Sequence, residues 1–160
     1  MLKKQSIFFS ISYTYPTQYK STYICTMVFV TGGTGLLGSH VLVELSKRGQ
    51  SIRALKRNTS DLTNVKRVFA FYLKNESKAL FNSIDWVDGD INDVSSLQDA
   101  MQGCNEVYHC AGYVSFWRKD FKKLMKINKT GTANMVNVAL SLGVDKFSHV
   151  SSTAAVGRNE

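Results

Sequence analysis

From Met27 onward the apolar residues fall into two alternating rhythms. Short apolar or alternating runs at Met27 to Val30, Ser51 to Leu55, Ile84 to Val87, Glu106 to Gly112 and Lys146 to Val150 read as strands. Between them apolar residues recur at helical spacing. The spacing predicts a first helix from Ser39 to Arg48, with Val41, Leu42 and Leu45 inward and Gly49 as its stop. Residues 61 to 83 are helical in part, with Val65, Val68, Phe69 and Tyr72 on one stripe. Ser95 or Ser96 caps a helix running through Met101, with Gly103 behind it. A long helix from about Asp120 to Leu142 carries Phe121, Leu124, Asn128 and Met135 on one stripe and stops at Gly143. Strands alternating with helices of this kind predict a parallel sheet built from crossover units.

The first 26 residues do not share either rhythm. They are rich in Ser, Thr and Tyr and contain the only proline, Pro16. Lys3 and Lys4 precede Ile7-Phe8-Phe9 in the manner of a signal peptide, but Ser10 and Ser12 break that run and no small-x-small cleavage site follows. Met27 stands directly before the first strand. The expectation is therefore a domain over residues 27–160, Met27 as the natural start, and residues 1–26 as a translated upstream region or a disordered tail.

The first strand runs into Thr31-Gly32-Gly33-Thr34-Gly35-Leu36-Leu37-Gly38. Gly33, Gly35 and Gly38 fit G-x-G-x-x-G, and Gly32, Gly35 and Gly38 also fit G-x-x-G-x-x-G. Glycines in a strand-to-helix turn allow a sharp reversal, leave room for a pyrophosphate and let helix pack on strand. The following helix aims free N–H groups and the positive end of its dipole at the phosphates. A glycine-rich surface loop would show the same residues without that context.

Composition narrows the picture. One hundred and sixty residues, 44% hydrophobic and 20% charged, make one globular domain with a sizeable core. The apolar runs are too short to span a bilayer. Cys25, Cys104 and Cys110 form no C-x-x-C pair and suit a reducing cytoplasm; Cys104 and Cys110 read as small apolar residues, so no metal site is expected. The net charge is +8, part of it from Lys3, Lys4 and Lys20 in the opening segment. Much of the rest lies between Arg118 and Lys129, where Lys122, Lys126 and Lys129 share a helical face opposite Phe121, Leu124 and Met125. That is the pattern of a solvated helix face, and no aromatic-interleaved basic groove points to nucleic acid.

Candidate chemistry gathers at strand ends. No acid lies between Glu44 and Asp61, where an NAD-preferring site carries a carboxylate for the ribose; Lys56 and Arg57 stand there instead and suit a 2′-phosphate, or mark a solvent-facing strand end. NADP is favoured, with NAD as the alternative. Asp90 can accept from the adenine amino group while Ile91 covers the ring, and the same residues also suit a plain Asp-Gly turn. Ala111 and Gly112 leave room for a ligand at the fourth strand's carboxyl end. His109 reads as a packed, hydrogen-bonded histidine over a catalytic one. A buried Asn128 must bond the neighbouring strand backbone or an ordered water.

Taken in order, Thr31 to Gly38, Gly89-Asp90-Ile91, Tyr108-His109-Cys110-Ala111, Asn128 with Gly131-Thr132, and Val150-Ser151-Ser152 with Gly157 resemble the extended short-chain dehydrogenase/reductases, the NAD(P)-dependent epimerase/dehydratase group. Arg53-Ala54-Leu55-Lys56-Arg57 is most similar to its dihydroflavonol-reductase-like and 3β-hydroxysteroid-dehydrogenase-like members. The resemblance covers residues 27 to about 158. It implies a Rossmann-type doubly wound parallel sheet, C-terminally incomplete, with about five strands in the order 3-2-1-4-5. It implies a cofactor held by Gly32, Thr34, Gly35, Leu36, Leu37, Lys56, Arg57, Asp90, Ile91, Ala111, Gly112 and Asn128, and a small carbonyl or alcohol substrate. A homodimer is compatible with it. Ser152 takes the family's serine position, orienting the substrate oxygen; on its own residues it could equally be a loop cap.

The family's acid/base is a Tyr-x-x-x-Lys pair. None of the seven tyrosines here has a lysine four residues on. The resemblance puts that motif, two further strands and the substrate domain beyond Glu160. Three readings compete: the amino-terminal part of a reductase without its proton donor, a stand-alone NADP-binding regulatory module, and an NADP-dependent enzyme using another acid such as His149. A fifth strand left as an unpaired edge also implies marginal solubility unless a partner covers it.

Overall fold

The computed structural model describes residues 26–152 and Ala155; all but the last residue of the expected extension over residues 1–26, together with Thr153 and Gly157, lie outside the described residues. Strand β1 (Met27–Thr31) is central, pairing in parallel with β2 (Ser51–Lys56) on one side and β4 (Cys104–His109) on the other. The sheet is completed by β3 (Asp85–Asp88) beside β2 and β5 (Lys146–His149) beside β4, both parallel. The strand order is β3-β2-β1-β4-β5, the doubly wound arrangement expected from the sequence.

Alternation along β1 divides the core. Val28 and Val30 face one layer with Ile52 and Ala54, where they meet Leu42 and Leu45 of α1 (Leu36–Lys47) and Val65 and Phe69 of α2 (Thr63–Leu73). Phe29 faces the other with Leu55 and Val107, against Leu97 and Met101 of α4 (Val94–Met101). A short α3 (Ser77–Asn82) joins the first layer through Phe81, whose ring meets Phe69 edge-on at 5.7 Å. Each such fully buried side chain contributes about 1.5–3 kcal/mol. Because both faces of β1 are covered, its side chains form a nearly unbroken apolar run.

The long helical segment departs most from the sequence expectation. Residues 121–141 are not one regular helix but α5 (Phe121–Leu124), a π-helical stretch (Met125–Gly131) and α6 (Thr132–Ser141). The wider π turn rotates residues before it out of phase with those after it. Met135 and Val138 of α6 are buried beside α4, while Phe121 is 62% exposed and Asn128 is exposed rather than buried. The stripe assumed to run through Phe121, Leu124, Asn128 and Met135 is therefore broken, and Phe121 and Met125 do not sit in a core behind the lysine face.

Smaller corrections have local causes. Helix α1 starts at Leu36, because Gly35 in an extended conformation caps it. The α4 cap is Asp93, not Ser95 or Ser96; its carboxylate accepts from the backbone N–H groups of both serines at 3.1 and 3.4 Å. Strand β3 begins at Asp85, and β4 runs Cys104–His109, so Cys110 to Gly112 lie past the strand's end. Tyr72 is half exposed although it shares the α2 stripe. Gly49, Gly103 and Gly143 follow α1, α4 and α6 as expected.

Candidate functional site

The β1–α1 turn is packed so tightly that Gly32 and Gly38 leave no room for a side chain. Gly32 adopts φ +71°, and a Cβ there would stand 2.5 Å from the Ala111 backbone nitrogen. A Cβ on Gly38 would overlap the Gly32 carbonyl oxygen. That same carbonyl accepts from the Gly35 N–H at 2.9 Å, closing the turn, and Ser39 N–H bonds Gly35 O at 3.0 Å as α1 begins. The result is a helix N-terminus laid open at the carboxyl edge of the sheet, with no acid in its first turn.

In front of this turn lies an open cavity of about 300 Å³. Thr31, Gly32 and Gly35 form its floor; Leu55 and Arg57 enter from the end of β2. Gly89, Asp90, Ile91 and Asn92 come from the loop after β3, and Cys110 to Tyr113 from the segment after β4. Lys123 and Ile127 close one side from the helix above. The position between β1 and β4, where the strand order reverses, is the crevice such sheets use for ligands.

The electrostatics is positive with one fixed carboxylate. The Asn92 backbone N–H, 2.8 Å from Asp90 Oδ1, holds the Asp90 carboxyl below its usual range, helped by the Asn92 side chain and the charges of Arg57 and Lys126. Burial pushes the Cys110 thiol up to about 11, so it stays protonated. Beneath the floor His109 is fully buried, its two ring nitrogens hydrogen-bonded to the hydroxyls of Thr31 (2.7 Å) and Thr132 (3.0 Å). Burial, with the neighbouring His149, lowers it to about 4. It is a neutral structural imidazole that anchors the β1 end to α6.

The expected site residues divide. Gly32, Gly35, Arg57, Asp90, Ile91, Ala111 and Gly112 all line the cavity. Thr34 lies in the turn, and Leu36 and Leu37 stand exposed on the first turn of α1, outside the lining. Lys56 is turned to Asp88 across the β2–β3 register, Nζ to Oδ1 at 2.5 Å, which leaves Arg57 as the cation facing the cavity from β2. Asn128 holds the chain just after β4, its amide accepting from Tyr113 N–H and donating to Tyr113 O, both at 2.8 Å. Its partner is thus backbone, as expected, though beyond the strand. Ser152 is exposed past β5, its carbonyl accepting from Ala155 N–H at 2.9 Å. His149 stacks on His109 at 5.0 Å between ring centres and does not line the cavity.

Tyr113, Lys123 and Ile127 were not anticipated. The signal available was the i, i+4 spacing of Lys123 and Ile127, which sets Lys123 off the face shared by Lys122, Lys126 and Lys129. Among the described residues no helix is long and apolar enough to cross a membrane.

A glycine-floored crevice at the strand reversal of a doubly wound sheet defines a nucleotide-binding Rossmann domain. The chain belongs to the NAD dependent epimerase/dehydratase family, whose model matches residues 28–160. It is 36% identical over 129 residues to a putative dihydroflavonol 4-reductase of Synechocystis, covering 81% of this chain and 33% of that protein. It is 31% identical to the mouse 3 beta-hydroxysteroid dehydrogenase type 7, covering 87% and 36%. Among solved structures it is similar to gox2253, with a TM-score of 0.67 and 33% identity over 84% of this chain and 36% of that one. The UDP-glucose 4-epimerase of Bifidobacterium longum, in complex with NAD+ and UDP, shares the fold at a TM-score of 0.65 and 24% identity, covering 82% and 38%. The chain spans about a third of the length of the curated relatives it matches.

Proposed function

We propose that this chain is the cofactor-holding part of an NADP-dependent reductase, acting in hydride exchange between NADP(H) and a small carbonyl or secondary alcohol. The observation that carries it is one cavity combining a floor on the β1–α1 turn, where Gly32 admits no side chain, with the Arg57 guanidinium, which takes part in none of the ion pairs among the described residues. The floor fits a diphosphate at a helix N-terminus, and Arg57 fits a 2′-phosphate as a bidentate donor. When bound, the nicotinamide supplies or accepts the hydride. The chain's own residues would bind and orient it: Asp90, its carboxyl held below the usual range, would accept from an adenine amino group, Leu55 and Ile91 would give the ring apolar cover, and Ala111 and Gly112 would leave the far end free of bulk. The names of the reductase and dehydrogenase relatives support an alcohol-or-carbonyl substrate.

No Tyr-x-x-x-Lys pair occurs in the 160 residues, so binding without turnover is the expectation for this chain by itself. A role as an NADP-binding module draws support from the cavity lining, which among the described residues falls between Thr31 and Ile127. Calorimetric titration with NADPH and NADH tests the proposal. NADPH is expected to bind about tenfold or more tightly than NADH, and Arg57→Ala to erase the difference. Equal affinity in the parent chain, or preference for NADH, would contradict the NADP assignment.

A further inference from the structure

We infer that Lys123 is a diphosphate ligand of this site, held in position by the ring of Tyr113. The inference rests on the nucleotide reading above and adds a residue that the glycine motif does not include. Three observations carry it.

The first is placement. Strands β2 and β4 flank β1 on opposite sides, so Arg57, from β2, and the Tyr113–Lys123 pair, on the β4 side, face the same glycine floor from opposite flanks. A dinucleotide whose 2′-phosphate lay at Arg57 would have its diphosphate as the anionic group left to reach the β4 flank. The second is that the pair is built rather than incidental. The Tyr113 backbone is clamped on both polar atoms by Asn128, and its hydroxyl donates to Asp120 Oδ2 at 3.2 Å. Ser115 donates to the same oxygen at 2.6 Å, fixing Asp120. The ring so held carries the Lys123 ammonium 4.1 Å from its centroid.

The third is charge. A cation over an aromatic face is attracted but not neutralised. Lys123 takes part in none of the ion pairs among the described residues, whereas the charge of Lys56 is matched by Asp88. The one carboxylate lining the cavity, Asp90, is already bonded to Asn92. Lys123 therefore brings an oriented ammonium, free of any direct ion pair among the described residues, to a cavity whose floor is a helix N-terminus, and its complement is an anionic oxygen group.

The test titrates NADPH, NADH and adenosine 2′-monophosphate into the chain and into Lys123→Met, Lys123→Arg, Tyr113→Leu and Lys122→Met. Lys123→Met is expected to weaken both dinucleotides alike by about tenfold and to leave the monophosphate, which has no diphosphate, unchanged. Lys123→Arg is expected to recover most of the loss, Tyr113→Leu to weaken dinucleotides about threefold, and Lys122→Met to behave as the parent. Unaltered dinucleotide affinity in Lys123→Met overturns the inference while leaving the nucleotide site standing. An equal loss in Lys122→Met, or for the monophosphate, also overturns it, because the effect would then be a general field. A parent chain that binds neither dinucleotide overturns the site and the inference together.

Discussion

His109 shows how much one residue's surroundings decide its role. Sealed between two threonine hydroxyls beneath the cavity, it has a folded-state value of about 4 against 6.5 when free. The unfolded chain therefore takes up a proton that the folded chain refuses. Stability from this residue is complete above about pH 6.5 and falls as pH drops toward 4. At pH 5 the loss is roughly 2 kcal/mol relative to pH 7.5. Denaturant melts at those two pH values measure it, and His109→Gln, which keeps polar atoms but does not titrate there, is expected to flatten the difference. Equal stability at both pH values in the parent chain would contradict the burial argument. At the same scale Lys56 and Arg57 are neighbours in sequence with opposite fates: one is matched by Asp88 on the adjoining strand, the other faces the cavity. A pairing between residues 32 apart is invisible to a search for local acids.

At the scale of elements, Asp93 is the clearest test. It satisfies two otherwise orphaned N–H groups of α4, a helix whose Leu97 and Met101 fill the second core layer. Asp93→Ala is expected to cost about 1 kcal/mol in thermal or denaturant melts, and Ser95→Ala far less. The reverse ranking would restore the serine cap read from the sequence. Much of the architecture was legible there. The Val28-Phe29-Val30 run, the glycine turn and the strand-helix alternation pointed to a parallel sheet because those signals are local and periodic, while its strand order came with the family resemblance. What stayed hidden has one physical character. The π-helical stretch over Met125–Gly131 changes phase without any distinctive residue, so the Phe121 stripe and the burial of Asn128 do not follow the helical spacing. Asp93 was missed because three potential caps, Asp93, Ser95 and Ser96, lie within four residues and only backbone geometry chooses among them.

Over the whole molecule the apolar surface is uneven. Val114, Phe116, Trp117 and Phe121 are exposed on the segment beyond the cavity rim, with Phe116 98% accessible, and among the described residues β5 is an edge strand. Exposed aromatics and an open strand edge favour association. Sedimentation of the chain is expected to show concentration-dependent self-association that Phe116→Ser with Trp117→Ser reduces; a monomer at all concentrations would contradict this. The central claim, that the crevice above the β1–α1 turn holds a dinucleotide, is tested most directly by backbone amide NMR during NADPH titration. The expected result is saturable shifts concentrated at Gly32 to Leu37, Arg57, Asp90 to Asn92 and Ala111 to Tyr113. Saturating NADPH that leaves the Gly32 to Leu37 amides unmoved would contradict it.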